Sequence, residues 1–429
     1  MMKNISSALN RISSPVMIIL FCMAAIEQFC QSFSWGHNNW CMNECLINYA
    51  GGFVRRGLFG QVALEFSKCT GIPANIFVIL TCLIMLLAFI AFFFWKSSGR
   101  LPGMVLFSPL LLGCAIFQDF AIRKDVLCII LLITCFLIEK SKYGIQVRNL
   151  LINSVAIIAV LCHEGFIFYG FLAIVAVRYF SQQEKMYKSL ACFSPIFIVF
   201  LVTSYFHGNE STAVAINQSL IRLWHHIEPN NVDIYNPSCA IYSLKYNFNN
   251  CPWNGYSLLW EVNYHVYTPL VWTLTLLFCV IYLSSNIQCD KKITIPTPSS
   301  VVIKKSRLQV ILIIQLVFIS PLFVIGWDYG RWIFLWIASS VSLYFLGLNW
   351  SHPFLERSTA RAIQWNRLFR LPWIPQQWHL LFFGIPLCSW SIFSYLQATP
   401  FGYQADYFLR FFLHKSLFET IYPLVRLHG

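Results

Sequence analysis

Apolar residues along this chain arrive in long blocks, near 15–33, 73–95, 101–118, 126–138, 150–162, 165–180, 189–206, 266–283, 308–326, 332–348 and 378–397, parted by short charged clusters. Blocks of this kind are what a chain shows when lipid rather than water is its solvent. The pattern predicts an all-α, polytopic helical membrane protein with about 11 transmembrane helices. One interruption is long: 207–265 holds Pro229, Pro237, Pro252, many Asn, and Trp224, Trp253 and Trp260, and predicts a large outer loop, ordered but irregular, with a short helix over 212–226. A second, 349–377, is rich in Arg and Trp and predicts a cytoplasmic interfacial segment. The sequence shows no internal repeat, low-complexity tract or second soluble domain, so 1–429 is expected to form one integral membrane domain.

Composition sharpens that picture. Of 429 residues 58% are hydrophobic and 11% charged, against about a quarter charged in soluble domains. Disorder and an ordinary soluble enzyme are excluded. The net charge of +13 does not point to nucleic acid, because the 30 Lys and Arg lie scattered between apolar blocks rather than on one basic face. They act as topology signals. The first block follows Lys3 and Arg11 as a signal peptide would, yet it lacks a small-residue cleavage pattern and carries Glu27 and Gln28, so it is expected to be a retained span. With the N-terminus inside, 19 of the 30 basic residues fall on the cytoplasmic side. Reading 150–180 as one helix instead of two would reverse that bias downstream. Several blocks, 126–138, 150–162 and 165–180, are shorter than the ~20 residues a crossing helix needs, which implies polar ends sunk in a cavity open to the outer side. The 16 cysteines lie mostly inside apolar blocks without metal-like pairing and are read as small buried hydrophobes. Cys41, Cys45, Cys69, Cys239 and Cys251 fall outside, and a disulfide between Cys239 and Cys251 stays open. No metal or cofactor is called for.

Four charged clusters fall on the outer side under this topology. In the first outer segment, 34–72, Arg55 and Arg56 stand between glycines; guanidinium pairs grip phosphate oxygens in a fork, and the plainer reading is a pair snorkelling to headgroups. Asp119 and Arg123, four apart, are expected to share a helix face and pair, with Lys124 and Asp125 extending the charge; Arg123 and Lys124 suit an anion, or the group merely caps a helix. His163 and Glu164 lie between two short blocks, where histidine beside a carboxylate suits a general base, although a histidine in apolar surroundings is commonly structural. Asp328 and Arg331, flanked by Trp327, Tyr329 and Trp332, offer a sugar platform beside a cation, or only an interfacial belt with an internal ion pair. Glu27 and Glu44 are weaker candidates for a carboxylate role.

Cations, one histidine and a few carboxylates opening outward suit a lipid-linked anionic substrate, and no Walker A, GxSxG or HExxH pattern competes. In this architecture, and in the segments NYAGGFVRRGLFG, FQDFAIRKDVL, CHEGFIFY and GWDYGRWI, the chain resembles the Wzy-type O-antigen and capsule repeat-unit polymerases among multispanning bacterial envelope glycosyltransferases. The resemblance implies transfer of a glycan from undecaprenyl diphosphate to a second lipid-linked repeat unit at the periplasmic face of the inner membrane. It implies that Arg55, Arg56, Arg123 and Arg331 hold diphosphate, with Lys124 and Asp328 beside them. His163 or Glu164 would activate the acceptor, with Asp119 and Asp125 as further catalytic candidates. It also implies membrane lipid and a chain-length regulator as partners, and a periplasmic tail over 398–429. A rival is the GT-C class, which uses a monophosphate-linked sugar and places a catalytic carboxylate in the first outer loop, where only Glu44 and Glu65 are acidic. A lipid-linked oligosaccharide flippase is the alternative from another class, against which stands the collection of charge at outer ends rather than mid-membrane.

Overall fold

The computed structural model describes residues 2–34, 39–97, 102–182, 185–221, 223, 240–245, 267–286, 298–326, 328–368, 376–388, 391–414 and 416. Every regular element among them is helical: α1 (Met2–Ser32), α2 (Trp40–Leu46), α3 (Gly57–Thr70), α4 (Ala74–Ser97), α5 (Gly103–Phe107), α6 (Leu112–Ile116), α7 (Asp125–Glu139), α8 (Ile145–Cys162), a π turn (Ile167–Phe171) running into α9 (Leu172–Gln182), α10 (Met186–Cys192), α11 (Ser194–Tyr205), α12 (Glu210–Leu220), α13 (Tyr267–Asn286), α14 (Pro298–Ile325), α15 (Tyr329–Leu346), α16 (Pro353–Leu368), α17 (Ile392–Gln397) and α18 (Pro400–Leu413), with 3-10 turns at Tyr242–Lys245 and Gln377–Phe382. Trp224, Pro229, Pro237, Cys239, Cys251, Pro252, Trp253, Trp260 and Trp327 lie outside the described residues. Of the expected helix over 212–226, α12 covers Glu210–Leu220.

Among the described residues four helices are long and apolar enough to cross a membrane, over Ile12–Ser32, Ala74–Ser97, Ile145–Cys162 and Val302–Ile325, and a fifth candidate is the pair α10 and α11, bent by 58°. That is fewer than the 11 spans expected. The remaining blocks are short or broken, for local reasons. Block 101–118 becomes α5 and α6, interrupted where Pro109 withholds a donor and Ser108 caps Leu110 N–H through its hydroxyl (3.2 Å). A Cβ at Gly113 would stand 2.3 Å from Phe107 O, so only glycine permits that turn. Block 378–397 is not one continuous helix: its described residues form the 3-10 turn, an irregular stretch and α17. It still traverses the bundle. Asn10, near the start of α1, donates to the Gln376 side chain (2.8 Å), while Leu387 O accepts from Gly330 N–H (2.9 Å) at the far end. Irregular backbone at such depth is tolerated where protein covers it.

The core of the bundle is α15, whose residues are buried on every side against α14, α7, α6 and α4. Beside it, α7 is apolar between charged ends, with Asp125 at one and Glu139 at the other. Fifteen residues at ~1.5 Å each put those ends about 21 Å apart. At the Glu139 end Arg178, fully buried, forms a fork on Glu139 (2.8 and 2.5 Å) and donates to Asn149 Oδ1 (2.6 Å), Arg148 donates to Glu139 O (2.7 Å), and Lys140 donates to Leu346 O. The basic residues read as topology signals include, in Arg178, a fully paired internal group.

A buried charged network at one end of the bundle

All four charged clusters meet at the Asp125 end. The link is Glu44, on α2, 1% exposed, whose carboxylate takes Arg56 Nη1 (3.3 Å), Arg123 Nε (3.4 Å), His163 Nε2 (3.3 Å) and Arg331 Nη2 (3.5 Å). Asn39 caps α2, its side chain accepting from Met42 N–H, and so sets the angle at which Glu44 points inward. In the sequence Glu44 stands out only weakly, because nothing charged flanks it in WCMNECL. The available signal was its standing as one of two acids in an outer segment otherwise cationic.

Arg331, in the first turn of α15, joins Asp125 (Nε to Oδ2, 2.7 Å), Asp328 (Nη1 to Oδ2, 3.3 Å) and His163 (Nη2 to Nε2, 2.8 Å). Arg123 also reaches Asp328 (3.3 Å). Arg56 lies in a fork on Glu164, with Nε at 2.9 and 2.8 Å and Nη2 at 2.5 Å, and Arg55 approaches the same carboxylate at 3.9 Å. Arg56 adopts φ 64°, a left-handed conformation rare for a long side chain, and Lys124 Nζ donates to its carbonyl (3.0 Å). Among the described residues that carbonyl is the one hydrogen-bond partner of the buried Lys124 ammonium.

One element of the expected arrangement differs. Asp119 does not pair with Arg123: residues 119–124 form turns rather than a helix, and Asp119, at φ 56°, points away. Its Oδ1 accepts from Gln28 Nε2 (2.9 Å) and Tyr403 Oη (2.7 Å) instead. The i,i+4 argument fails because the helix it presumes starts only at Asp125.

His163 ends α8 in an extended conformation, and Gly165 N–H donates to its Nδ1 (3.0 Å). With Nδ1 accepting, Nε2 carries the proton and donates to Glu44; with the proton on Nδ1, Nε2 accepts from Arg331. The two tautomers exclude each other's contacts: protonated on Nε2 the ring keeps Gly165 N–H and Glu44 but sets its own N–H against Arg331, and protonated on Nδ1 it keeps Arg331 but sets its N–H against that of Gly165. The π turn begins at Ile167, and a Cβ at Gly170 would stand 2.4 Å from the Phe166 ring, so the glycine makes room for that ring.

Burial lowers the His163 pKa and Arg56 nearby lowers it further, so the imidazole is neutral at neutral pH. Burial pushes the Glu44 carboxyl up, but Arg331 and Arg123 outweigh it and hold it well below the usual range. Glu164 is lowered in the same way by Arg56, with Arg55 adding to it, and Asp328 by Arg123 and Arg331. Five cations therefore stand with four carboxylates, Glu44, Asp125, Glu164 and Asp328. Arg56, Arg55, Glu164 and Asp328 keep partial exposure, and they form the face through which this network meets its surroundings.

No group of three or more His, Cys, Asp or Glu side chains suited to a metal ion occurs among the described residues. No protein-family model matches the chain, and no curated protein or solved structure matches it either. Fold and site together define an all-helical protein with several membrane-length apolar helices and one buried, arginine-rich ionic centre.

Proposed function

We propose that this chain is a polytopic inner-membrane glycosyltransferase that polymerises undecaprenyl-diphosphate-linked repeat units at the periplasmic face. The observation that carries this reading is the convergence of Arg56, Arg123 and Arg331 on one carboxylate beside a neutral histidine. Guanidiniums held in place by internal carboxylates are preorganised for the oxygens of a diphosphate leaving group. In this reading the short and broken helices complete an eleven-pass body, and a chain-length regulator docks on it.

The acceptor hydroxyl oxygen attacks the anomeric carbon, the bond from that carbon to the diphosphate oxygen breaks, and its electron pair leaves with undecaprenyl diphosphate. In the tautomer that carries its proton on Nδ1, His163 has a lone pair available at Nε2, and the hydroxyl proton passes to that atom. That nitrogen is covered by Arg331 at 2.8 Å until a diphosphate oxygen draws the guanidinium away. Donor binding thus uncovers the base. Glu164 positions Arg56, Asp125 positions Arg331, and Lys124 holds the Arg56 turn.

The test is polymerisation of lipid-linked repeat units in proteoliposomes. His163→Ala is expected to leave single units unextended, a loss of about 10²–10⁴-fold. Arg56→Lys is expected to retain only part of the activity, since an ammonium lacks the planar fork, and Glu164→Gln keeps partial activity. A His163→Ala protein that polymerises at the wild-type rate would sink this assignment. A second reading has its own observation: Glu44 brings a carboxylate from the first outer segment to the centre of the site, as a GT-C-type enzyme with a monophosphate-linked donor requires. Turnover of a polyprenyl-monophosphate sugar, without turnover of diphosphate-linked units, would favour it.

A further inference from the structure

Beside the ionic network lies a cleft that the reading above does not use. A cavity of about 330 Å³ is lined by Phe117, Gln118, Asp119, Cys388, Gln397 and Tyr403, among others, and a second of about 290 Å³ by Glu27, Gln31, Tyr407 and Arg410. Asp119, Tyr403 and Asp406 line both, so the two are parts of one cleft. Its walls come from the ends of the two broken crossings, at 117–119 and 386–388, and from α1 and α18. Interrupted apolar segments gathered at one place are among the better structural signs of a substrate site.

Its chemistry is opposite to that of the network. Three carboxylates, Glu27, Asp119 and Asp406, face one cation, Arg410, which pairs with Asp406 (2.8 Å). An anion is therefore disfavoured. Amides and hydroxyls from Gln118, Gln31, Gln397 and Tyr403 add donors and acceptors, and Phe117 and Tyr403 stand edge to face at 5.8 Å. Gln28 and Tyr403 both donate to Asp119 Oδ1, which orients that carboxylate in the wall of the cleft. Oriented carboxylates and amides beside aromatic rings recognise a polyol. The cleft also touches the network, because Cys388, in its wall, donates through Sγ to Asp328 Oδ1 (3.6 Å). We propose that this cleft binds uncharged sugar residues of the acceptor glycan, with Asp119 and Asp406 hydrogen-bonding its hydroxyls while the arginine network next to it takes the donor's diphosphate. This rests on the glycosyltransferase reading, but its test does not need catalysis.

The experiment follows alkylation of Cys388 by a neutral maleimide in the full-length protein in nanodiscs, read on the Cys388 peptide by mass spectrometry. One probe is neutral oligosaccharide released from the host's own surface glycan; the other is inorganic pyrophosphate. Oligosaccharide is expected to slow alkylation, and Asp119→Asn to raise the concentration needed by about tenfold, as loss of a charge-assisted hydrogen bond does. Asparagine tolerates the positive φ of position 119, so this variant keeps the backbone. Tyr403→Phe, which removes the hydroxyl that orients Asp119, is expected to weaken protection in the same direction. Protection by pyrophosphate and not by oligosaccharide would overturn the proposal, as would protection by neither, or protection unchanged in both variants. Polymerisation by the wild-type protein alongside any of these would leave the glycosyltransferase reading standing without this subsite.

Discussion

Three guanidiniums and one imidazole share the Glu44 carboxylate, so this side chain couples α2 to the turns that carry Arg56, Arg123, His163 and Arg331. Removing one member of a buried pair is costly, and Glu44→Gln would leave Arg56, Arg123 and Arg331 to share Glu164, Asp125 and Asp328 alone. The same coupling sets a pH dependence. The folded pKa of His163 lies below its ordinary value of 6.5, so the unfolded chain takes up a proton first and stability falls as pH drops below about 6.5. Glu44 and Glu164 lie below their ordinary 4.5, so their contribution is complete above that pH and is lost as pH falls through the lower folded values. The melting temperature of the detergent-solubilised protein should therefore decline from pH 7 to 5, with a flatter profile for His163→Gln. A wild-type profile flat over that range would mean that His163 is not buried as a neutral ring. The charged candidates were legible because charge in so apolar a chain is rare. The central place of Glu44, and the pairing of Asp119 with Gln28 and Tyr403 rather than Arg123, are not legible there, since both depend on turns whose conformation no periodicity reveals.

Helices and their interruptions explain where those side chains meet. Gly330 sits where α15 passes the irregular stretch before α17, and an added Cβ would stand 2.4 Å from Pro386 O and 2.8 Å from Gln118 Oε1. Both neighbours belong to broken crossings. Gly330→Ala is expected to cost about 1–3 kcal/mol, as overpacking does, while Gly144→Ala, with open space around it, should change stability by less than about 0.5 kcal/mol. Thermal unfolding of the two variants side by side decides this, and equal melting temperatures would show that the 386–388 stretch is not seated on α15. The apolar blocks predicted helices correctly wherever they lacked internal breakers. They misled at 101–118 and 378–397, where Pro109, Gly113 and Gly384 permit or impose turns that hydropathy alone cannot see. At Gly384 a Cβ would stand 2.5 Å from Tyr395 O.

At the scale of the whole molecule, ionic groups occupy the two ends of α7, and the apolar body lies between them. The distribution of basic residues predicts which end faces the cytoplasm: reporter fusions after Lys188 and Arg307 should read cytoplasmic, and one after Tyr256 external. An external signal after Arg307 would reverse the assignment of ends. The membrane character was legible from composition, whereas the number of membrane-length helices was not, because a hydropathy block does not disclose whether it crosses as one helix or in pieces.

The 21 Å or so between Asp125 and Glu139 is less than the ~30 Å hydrocarbon thickness of a typical bilayer. In the proposed reading the donor's lipid has to reach the Asp125 end of this distance, and it does so by shortening or tilting, at a cost of fractions of a kcal/mol per ångström of hydrophobic mismatch. Its headgroup would then ride several ångströms lower than in the surrounding leaflet. Reconstitution in a series of phosphatidylcholines of increasing acyl length should show turnover highest in the thinner bilayers and falling as the chains lengthen. Turnover indifferent to acyl length would mean that neighbouring helices hide the short face from lipid.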